Sequence, residues 1–435
     1  MSTPNGFVRS VLVLAAVAGT SSLAVAQAPP RQVVKPPVAQ AWIDVATYAG
    51  LPMGGAMGGG MGGGPGGGMM NLPLGALMGG KSPQADFGYT QAGPVGRWMD
   101  VTLYTSRNPS LAEALQSVPA ATQLAPTLKL QAPEKPKPLP VEKGEDQPED
   151  WNYEPPKGKL IMYWGCSETV RPGQPKVVNL ETATLGELAK FFESRRATQR
   201  GAHAAAGRPV WPSRTDKRAL PAGASITGQH AVTGQGGPGS FKFSIPPAQD
   251  LMPAIKLRQT DRGGFVLLEW DAVPTARAYF LGSMGAREGE DATMVIWTSS
   301  ELPESGFGLF DYQTNAAVDR WLKERVLLPP ATTRCAVPRE AAGQGMLRAI
   351  AYGSELNMAY PPRPSDPKIA WEPDWNVKIR VKSMTTGMFG MADMPDMGGM
   401  DGGEEMTDAP EPTDEPAATE PPKKNKKFNP LEAVK

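Results

Sequence analysis

Leu160-Ile-Met-Tyr-Trp164-Gly-Cys-Ser-Glu168 is answered later in the chain by Met294-Val-Ile-Trp297-Thr-Ser-Ser-Glu301. Each is followed by a stretch of helical spacing, to about Arg200 in the first case and Arg325 in the second, and then by further matching words in the same order. Arg218-Ala-Leu-Pro221 matches Arg334-Cys-Ala-Val-Pro338, Ile245-Pro-Pro247 matches Tyr360-Pro-Pro362, and Lys256-Leu-Arg258 matches Lys378-Ile-Arg380. Ordered matches of this kind read as a diverged duplication of one supersecondary unit. The expected fold is mainly β: two related β-sandwich-like domains, residues 158–260 and 261–385, each with one packed helix, plus long disordered segments.

Within each copy the helix shows one apolar stripe. Leu185, Leu188, Ala189 and Phe192 form the first, and Ala317, Val318, Trp321 and Leu322 the second. Thr184 and Thr314 are expected N-caps, the first with Glu187 three residues on as a capping box. The expected core residues are Ile161, Tyr163, Trp164, Leu188, Phe192, Leu268, Trp270, Tyr279, Val295, Trp297, Trp321, Ile350 and Ile379.

Outside the copies, Trp42-Ile-Asp-Val-Ala-Thr-Tyr48 alternates like a half-buried strand, and Trp98-Met-Asp-Val-Thr-Leu-Tyr104 is its near-twin. The region 42–130 is read as these two strands, paired around a Gly/Met-rich disordered loop at 53–80 whose composition cannot offset the entropy of ordering. Residues 27–41 form a Pro-rich spacer, 131–157 a Pro- and charge-rich linker, and 386–435 a disordered Met-rich, acidic tail with a basic end at Lys423–Lys427.

Phe265-Val-Leu-Leu-Glu-Trp270-Asp-Ala-Val-Pro274, followed by Ala278-Tyr279-Phe-Leu281, resembles the start of a fibronectin type III or immunoglobulin-like sandwich. There, a strand ending in a buried Trp precedes one opening on a Tyr. The resemblance extends over residues 265–381 and implies a sandwich for the second copy. The words Tyr163-Trp-Gly-Cys166 and Pro172-Gly-Gln-Pro175 also resemble a family of secreted Gram-negative proteins with no assigned function, so this resemblance implies export alone.

Export is read from the residues as well. Val11–Ala18 is an apolar run too short to span a bilayer, and Ala24-Val-Ala26 offers small residues for cleavage, so 1–26 is expected to be a signal peptide. No later stretch is apolar for the length a membrane helix needs, which places the mature chain in the periplasm or at the cell surface without a membrane-spanning helix. With 44 basic and 44 acidic residues, no net field favours nucleic acid, and no nucleic-acid partner is expected.

Two motif matches fail on context. Gly75–Ser82 fits the phosphate-loop pattern, but Pro73 and Pro83 replace the strand and helix it requires. Gly234-Gln-Gly236-Gly-Pro-Gly239 fits a dinucleotide pattern, yet Ser240–Ile245 alternates like a strand, so a hairpin loop is expected. The two histidines, His203 and His230, lack metal-ligand spacing, and Gly282-Ser-Met-Gly285 falls one residue short of a nucleophile elbow. No catalytic residue and no cofactor is assigned, and a non-enzymatic protein is expected.

Cys166 and Cys335 either form a bridge, which an oxidising compartment favours, or remain two buried thiols. Met388, Met391, Met394, Met397 and Met400 recur every third residue, and thioether sulfur is a soft ligand for Cu(I). The interleaved Asp393, Asp396 and Asp401 are hard ligands, so a plain flexible tail is favoured over a copper site. The function expected is an exported binding or scaffold protein of the envelope, its partner an unspecified envelope protein or polymer. Periplasmic copper handling is the alternative, and an enzyme of unspecified class the second alternative.

Overall fold

The structure is a computed structural model that describes residues 32–51, 87–133, 157–198, 200–287 and 293–389. The described chain is mainly β. Its strands in chain order are β1 (Ala39–Gly50), β2 (Gly96–Thr105), β3 (Glu113–Ser117), β4 (Thr127–Gln131), β5 (Lys159–Trp164) and β6 (Lys176–Asn179). Then come β7 (Val210–Trp211), β8 (Gly228–Gly234), β9 (Lys242–Ile245), β10 (Leu257–Asp261), β11 (Phe265–Trp270) and β12 (Ala278–Ala286). The last are β13 (Thr293–Thr298), β14 (Arg334–Pro338), β15 (Gln344–Tyr352), β16 (Leu356–Tyr360) and β17 (Trp375–Met388).

Fourteen strands form one sheet in the order β6-β5-β13-β12-β15-β17-β1-β2-β7-β4-β3-β8-β9, with β16 beside the first half of β17. Strands β10, β11 and β14 form a separate three-stranded sheet. Most pairs are antiparallel, but β1 runs parallel to β17 and β5 parallel to β13. A parallel pair needs a long crossover, and β1–β17 takes nearly the whole described chain to close one.

The near-twin strands do pair. Ile43 faces Val101, and Asp44 stands opposite Asp100. Alternation then sorts the side chains: Ile43, Val45, Met99 and Val101 enter the main core, while Trp42, Asp44, Trp98 and Asp100 point to the other face. The main core takes residues from one face of the large sheet and from β11 and β14 of the small one, including Leu268, Trp270 and Val337. Trp270 meets Tyr279 edge-on with ring centres 5.5 Å apart, and the Tyr279 hydroxyl accepts a bond from the Val273 backbone N–H at 2.7 Å.

The arrangement of the repeated words differs from the expected one. β5 and β13 lie side by side in register, with Tyr163, not Trp164, paired to Trp297. Trp297 is buried in the main core, whereas Trp164 is half-buried against the small cluster on the opposite face. One residue of offset reverses the face of a strand residue, which is why a word match does not translate into equivalent burial. Strands β5 and β6 sit at one end of the large sheet and β7, β8 and β9 at the other, so residues 158–260 do not close a sheet of their own.

Three boundaries also move. Ala39 and Ala41, in the expected spacer, are buried in β1, and Val34 bridges to Trp371, because parallel pairing with the last strand draws this segment into the fold. β17 continues through Thr386 to Met388 and Phe389 is buried, so the fold runs past residue 385 into the expected tail. Residues 131–133 and 157 belong to the described chain, Gln131 as the last residue of β4. The first helix spans only Leu185–Phe191, not the stretch to Arg200. Its Thr184–Glu187 capping box is present, but Leu185 is 86% exposed and Phe191 is the buried side chain, packing on Leu160, Met162 and Ile296. A helix of two turns can lay only its end on the sheet, so the expected stripe does not form. The second helix, Asn315–Lys323, buries Ala317, Val318 and Trp321, and Thr314 caps it by accepting from the Ala317 N–H.

Cys166, just beyond β5, and Cys335, in β14, form a disulfide with Cα atoms 5.0 Å apart. It ties the large sheet to the three-stranded one. The Ser167 N–H donates to the Ala336 carbonyl beside it at 2.9 Å. Among the described residues no helix is long and apolar enough to cross a membrane. The expected signal peptide, the loop 53–80 and the tail beyond Phe389 lie outside the described residues.

Candidate functional site

The face of β1, β2 and β17 away from the main core carries Asp44, Asp100, Arg380 and Lys382, all buried. Irregular segments cover it, roughly residues 192–198, 200–203 and 304–313. They are laced together: Glu304 accepts from the Arg195 guanidinium at 3.0 Å, Ser305 donates to the Phe192 and Glu193 carbonyls, and Gln313 accepts from the Ala197 N–H at 2.8 Å.

Beneath this cover, Arg380 donates to both oxygens of Asp44, from Nε at 2.7 Å and from Nη2 at 2.5 Å. The Ala202 N–H gives Asp44 a third bond at 3.0 Å, and Arg380 Nη1 donates to Thr198 Oγ1 at 3.1 Å. The Tyr312 ring lies 4.3 Å from the guanidinium carbon and 4.4 Å from Lys382 Nζ, while its hydroxyl donates to the Val45 carbonyl. Lys382 Nζ is 3.5 Å from Asp311, and burial lowers its pKa. Two cations therefore meet two carboxylates, and the Tyr312 face lies against both cations.

Asp100 is handled differently. It accepts from the Thr90 N–H at 2.8 Å, the Thr90 hydroxyl at 2.5 Å and the Gly88 N–H at 3.3 Å. Burial pushes its carboxyl up to about 7, with Asp44 across the strand pair adding to the rise and the Thr90 bonds opposing it. Two buried carboxylates opposite each other cannot both be charged at low cost, and of the two it is Asp44 that pairs with an arginine.

At the outer end of this face Arg208 lies between the Trp42 and Tyr104 rings, 4.7 and 4.5 Å from their centres. His203 meets Trp42 edge-on, and one ring nitrogen is 2.7 Å from the Gly201 carbonyl. Burial lowers the pKa of both Arg208 and His203.

Toward β12 and β15 the same face carries a small depression of about 10 Å³, room for roughly one water, with Ser283, Ser305, Phe307, Phe310 and Arg348 in its wall. Arg348 stands opposite Gly282, and the Phe310 ring, which fills the room Gly282 leaves, lies 4.2 Å from the guanidinium carbon. Burial lowers the Arg348 pKa to about 10, so it stays cationic at neutral pH.

Of the residues weighed in the sequence, His203 lies at the outer end of this face and Ser283 in the wall of the depression, and the others fall elsewhere. His230, in β8, is buried, with Nε2 2.8 Å from the Ile226 carbonyl and Nδ1 3.1 Å from Gln116 Nε2. Ser283 of the failed elbow is buried within β12. Gly234–Gly239 connects β8 to β9, as a hairpin should. Among the described residues no group of three or more His, Cys, Asp or Glu side chains is placed to hold a metal ion. Met388 ends β17 and its carbonyl accepts from Gln259, whereas Met391, Met394, Met397 and Met400 lie outside the described residues. Sequence reasoning missed Asp44, Arg380, Lys382 and Arg348. In β1 a signal was available, Asp44 between Trp42 and Ala46 on one face, whereas the alternation Val377-Lys378-Ile379-Arg380-Val381-Lys382 in β17 reads as an ordinary half-exposed strand and gives no sign that its polar face is covered. Comparison with protein-family models, with curated proteins and with solved structures finds no match to this chain.

Proposed function

We propose that this protein is an exported, non-enzymatic binding or scaffold module of the cell envelope. The observation that carries the reading is the Cys166–Cys335 disulfide, because such bonds persist in oxidising compartments and are reduced in the cytoplasm. The polar layer supports it further: Asp44, Arg380, Lys382 and Asp311 spend their charge on one another under a cover held by its own hydrogen bonds. The repeated words on adjacent parallel strands support a diverged duplication. Layering of the small sheet on the large one, with Trp270 against Tyr279, supports the sandwich-like resemblance.

Capture from envelope extract with the tagged full chain tests this reading. A reproducible envelope protein or polymer is the expected result, and turnover of a substrate by the purified protein would replace it with an enzyme.

A further inference from the structure

We propose that Lys382 and Asp311 condense to an amide, a covalent cross-link between β17 and the covering segment 304–313. The inference goes beyond the reading of the protein as a binding module and does not depend on it. The Lys382 side chain is 1% exposed, and Nζ makes no hydrogen bond among the described residues. Nζ lies against the rings of Tyr312 and Tyr48, 4.4 and 5.9 Å from their centres, and 3.5 Å from Asp311 Oδ1. On the same face Arg380 reaches Asp44 at 2.7 and 2.5 Å, whereas the Lys382 pair stays outside the span of about 2.7–2.9 Å typical of a charged hydrogen bond. A buried ammonium with one distant partner is a costly arrangement, and condensation removes both charges. In water the ionisation of amine and acid opposes amide formation. Here burial penalises the ammonium, lowers the Lys382 pKa and so raises the share of free amine.

Asp311 is set as the electrophile. The Tyr312 backbone N–H donates to its Oδ1 at 2.7 Å, and that oxygen gains negative charge when Cγ is attacked. Asp44 also acts electrostatically on Lys382, but its two oxygens are taken by Arg380. The step needs no co-reactant and changes no oxidation state. One ammonium proton passes to Asp311 Oδ2, and the Nζ lone pair then forms the bond to Cγ. The Cγ–Oδ2 bond breaks with its electron pair, and Oδ2 leaves as water carrying that proton and a second one from Nζ. One hydrogen remains on the amide nitrogen. The Asp311 side chain is 31% exposed, which gives the water a way out.

Mass spectrometry of the purified full chain, with its disulfide reduced, tests the link. The expected intact mass falls short of the reduced sequence by one water. Digestion should release a branched peptide that joins the Asp311 segment to the Lys382 segment, with no tryptic cut after Lys382. Lys382→Arg keeps the cation without the amine, Asp311→Ala removes the carboxyl, and each should restore the full mass. A parent chain of full mass overturns the proposal, as does a water loss with the two segments recovered as separate peptides. A water loss that persists in Lys382→Arg overturns it too, because dehydration then lies at another group. Should either variant not fold, the mass of the parent and its branched peptide decide alone.

Discussion

Asp44 and Arg380 stand directly opposite each other on adjacent parallel strands, 336 residues apart in sequence, and close a two-pronged ion pair with almost no exposure to water. The pair fixes the register of β1 against β17 at the middle of the large sheet.

Breaking one side of the pair should cost far more than removing both. Asp44→Ala or Arg380→Ala alone leaves a buried charge without its partner, for an expected loss of about 3–5 kcal/mol in urea unfolding. The double variant Asp44→Leu/Arg380→Met should recover most of that loss. Equal losses in all three would show that packing, and not charge pairing, holds this layer.

Gly201 covers the pair so closely that a Cβ there would lie 1.7 Å from Arg380 Nη2 and 2.5 Å from Asp44 Oδ2. Gly201→Ala should therefore displace the covering segment and cost about 1–3 kcal/mol, the usual range for overpacking. Faster hydrogen exchange at Ala202, whose N–H is bonded to Asp44, is the local readout.

Acid and base act on this fold through groups of opposite sign. Burial lowers the pKa of His230 and of His203, so their stabilising contribution is present above about 6.5, the free value, and is lost as pH falls through the folded values. Asp100, raised to about 7, contributes stability that is full below the free carboxylate value near ~4 and is lost as pH rises toward 7. The two trends partly cancel between pH 7 and 5. Asp100→Asn removes one of them, so unfolding midpoints for that variant should fall more steeply on acidification than those of the parent. A slope unchanged by the substitution would contradict the raised Asp100 value.

The disulfide closes a loop between residues 169 apart. Loop-closure entropy alone gives it about 5 kcal/mol of stabilisation. Cys166→Ser should lower the unfolding midpoint accordingly, and reduction of the parent protein should reproduce the shift. A reductant effect that persists in Cys166→Ser would point to some other cause.

Copper handling is tested separately. Replacing Met388, Met391, Met394, Met397 and Met400 by Leu keeps their bulk and removes the soft sulfur donor. If the run binds Cu(I), uptake under reducing conditions should vanish in that variant while zinc uptake stays low in both. Retained copper uptake places any such site elsewhere.

Features set within a few residues were legible in the sequence. The Thr184–Glu187 capping box spans four positions, the Gly234–Gly239 hairpin is bounded by its own strands, and Trp42–Tyr48 alternates over seven residues. Each depends on backbone geometry and on which side chains share a face, and these follow from local spacing. That the near-twin strands pair was legible for the same reason, from their matching alternation on either side of a loop, while their antiparallel register came from the structure. What the sequence left open was which distant strand lies beside which. β17 pairs with β1 across almost the whole described chain, β5 joins β13, and the one-residue offset that pairs Tyr163 with Trp297 sends Trp164 to the other face. Those choices rest on the summed burial of the main core and on charge matches such as Asp44 with Arg380, made only when remote segments meet. The same holds for Arg348, whose place beside Phe310 depends on the chain crossing the sheet between them. Local spacing decides faces, and only the assembled tertiary structure decides neighbours, because the energy that selects a neighbour is absent until water has left between them.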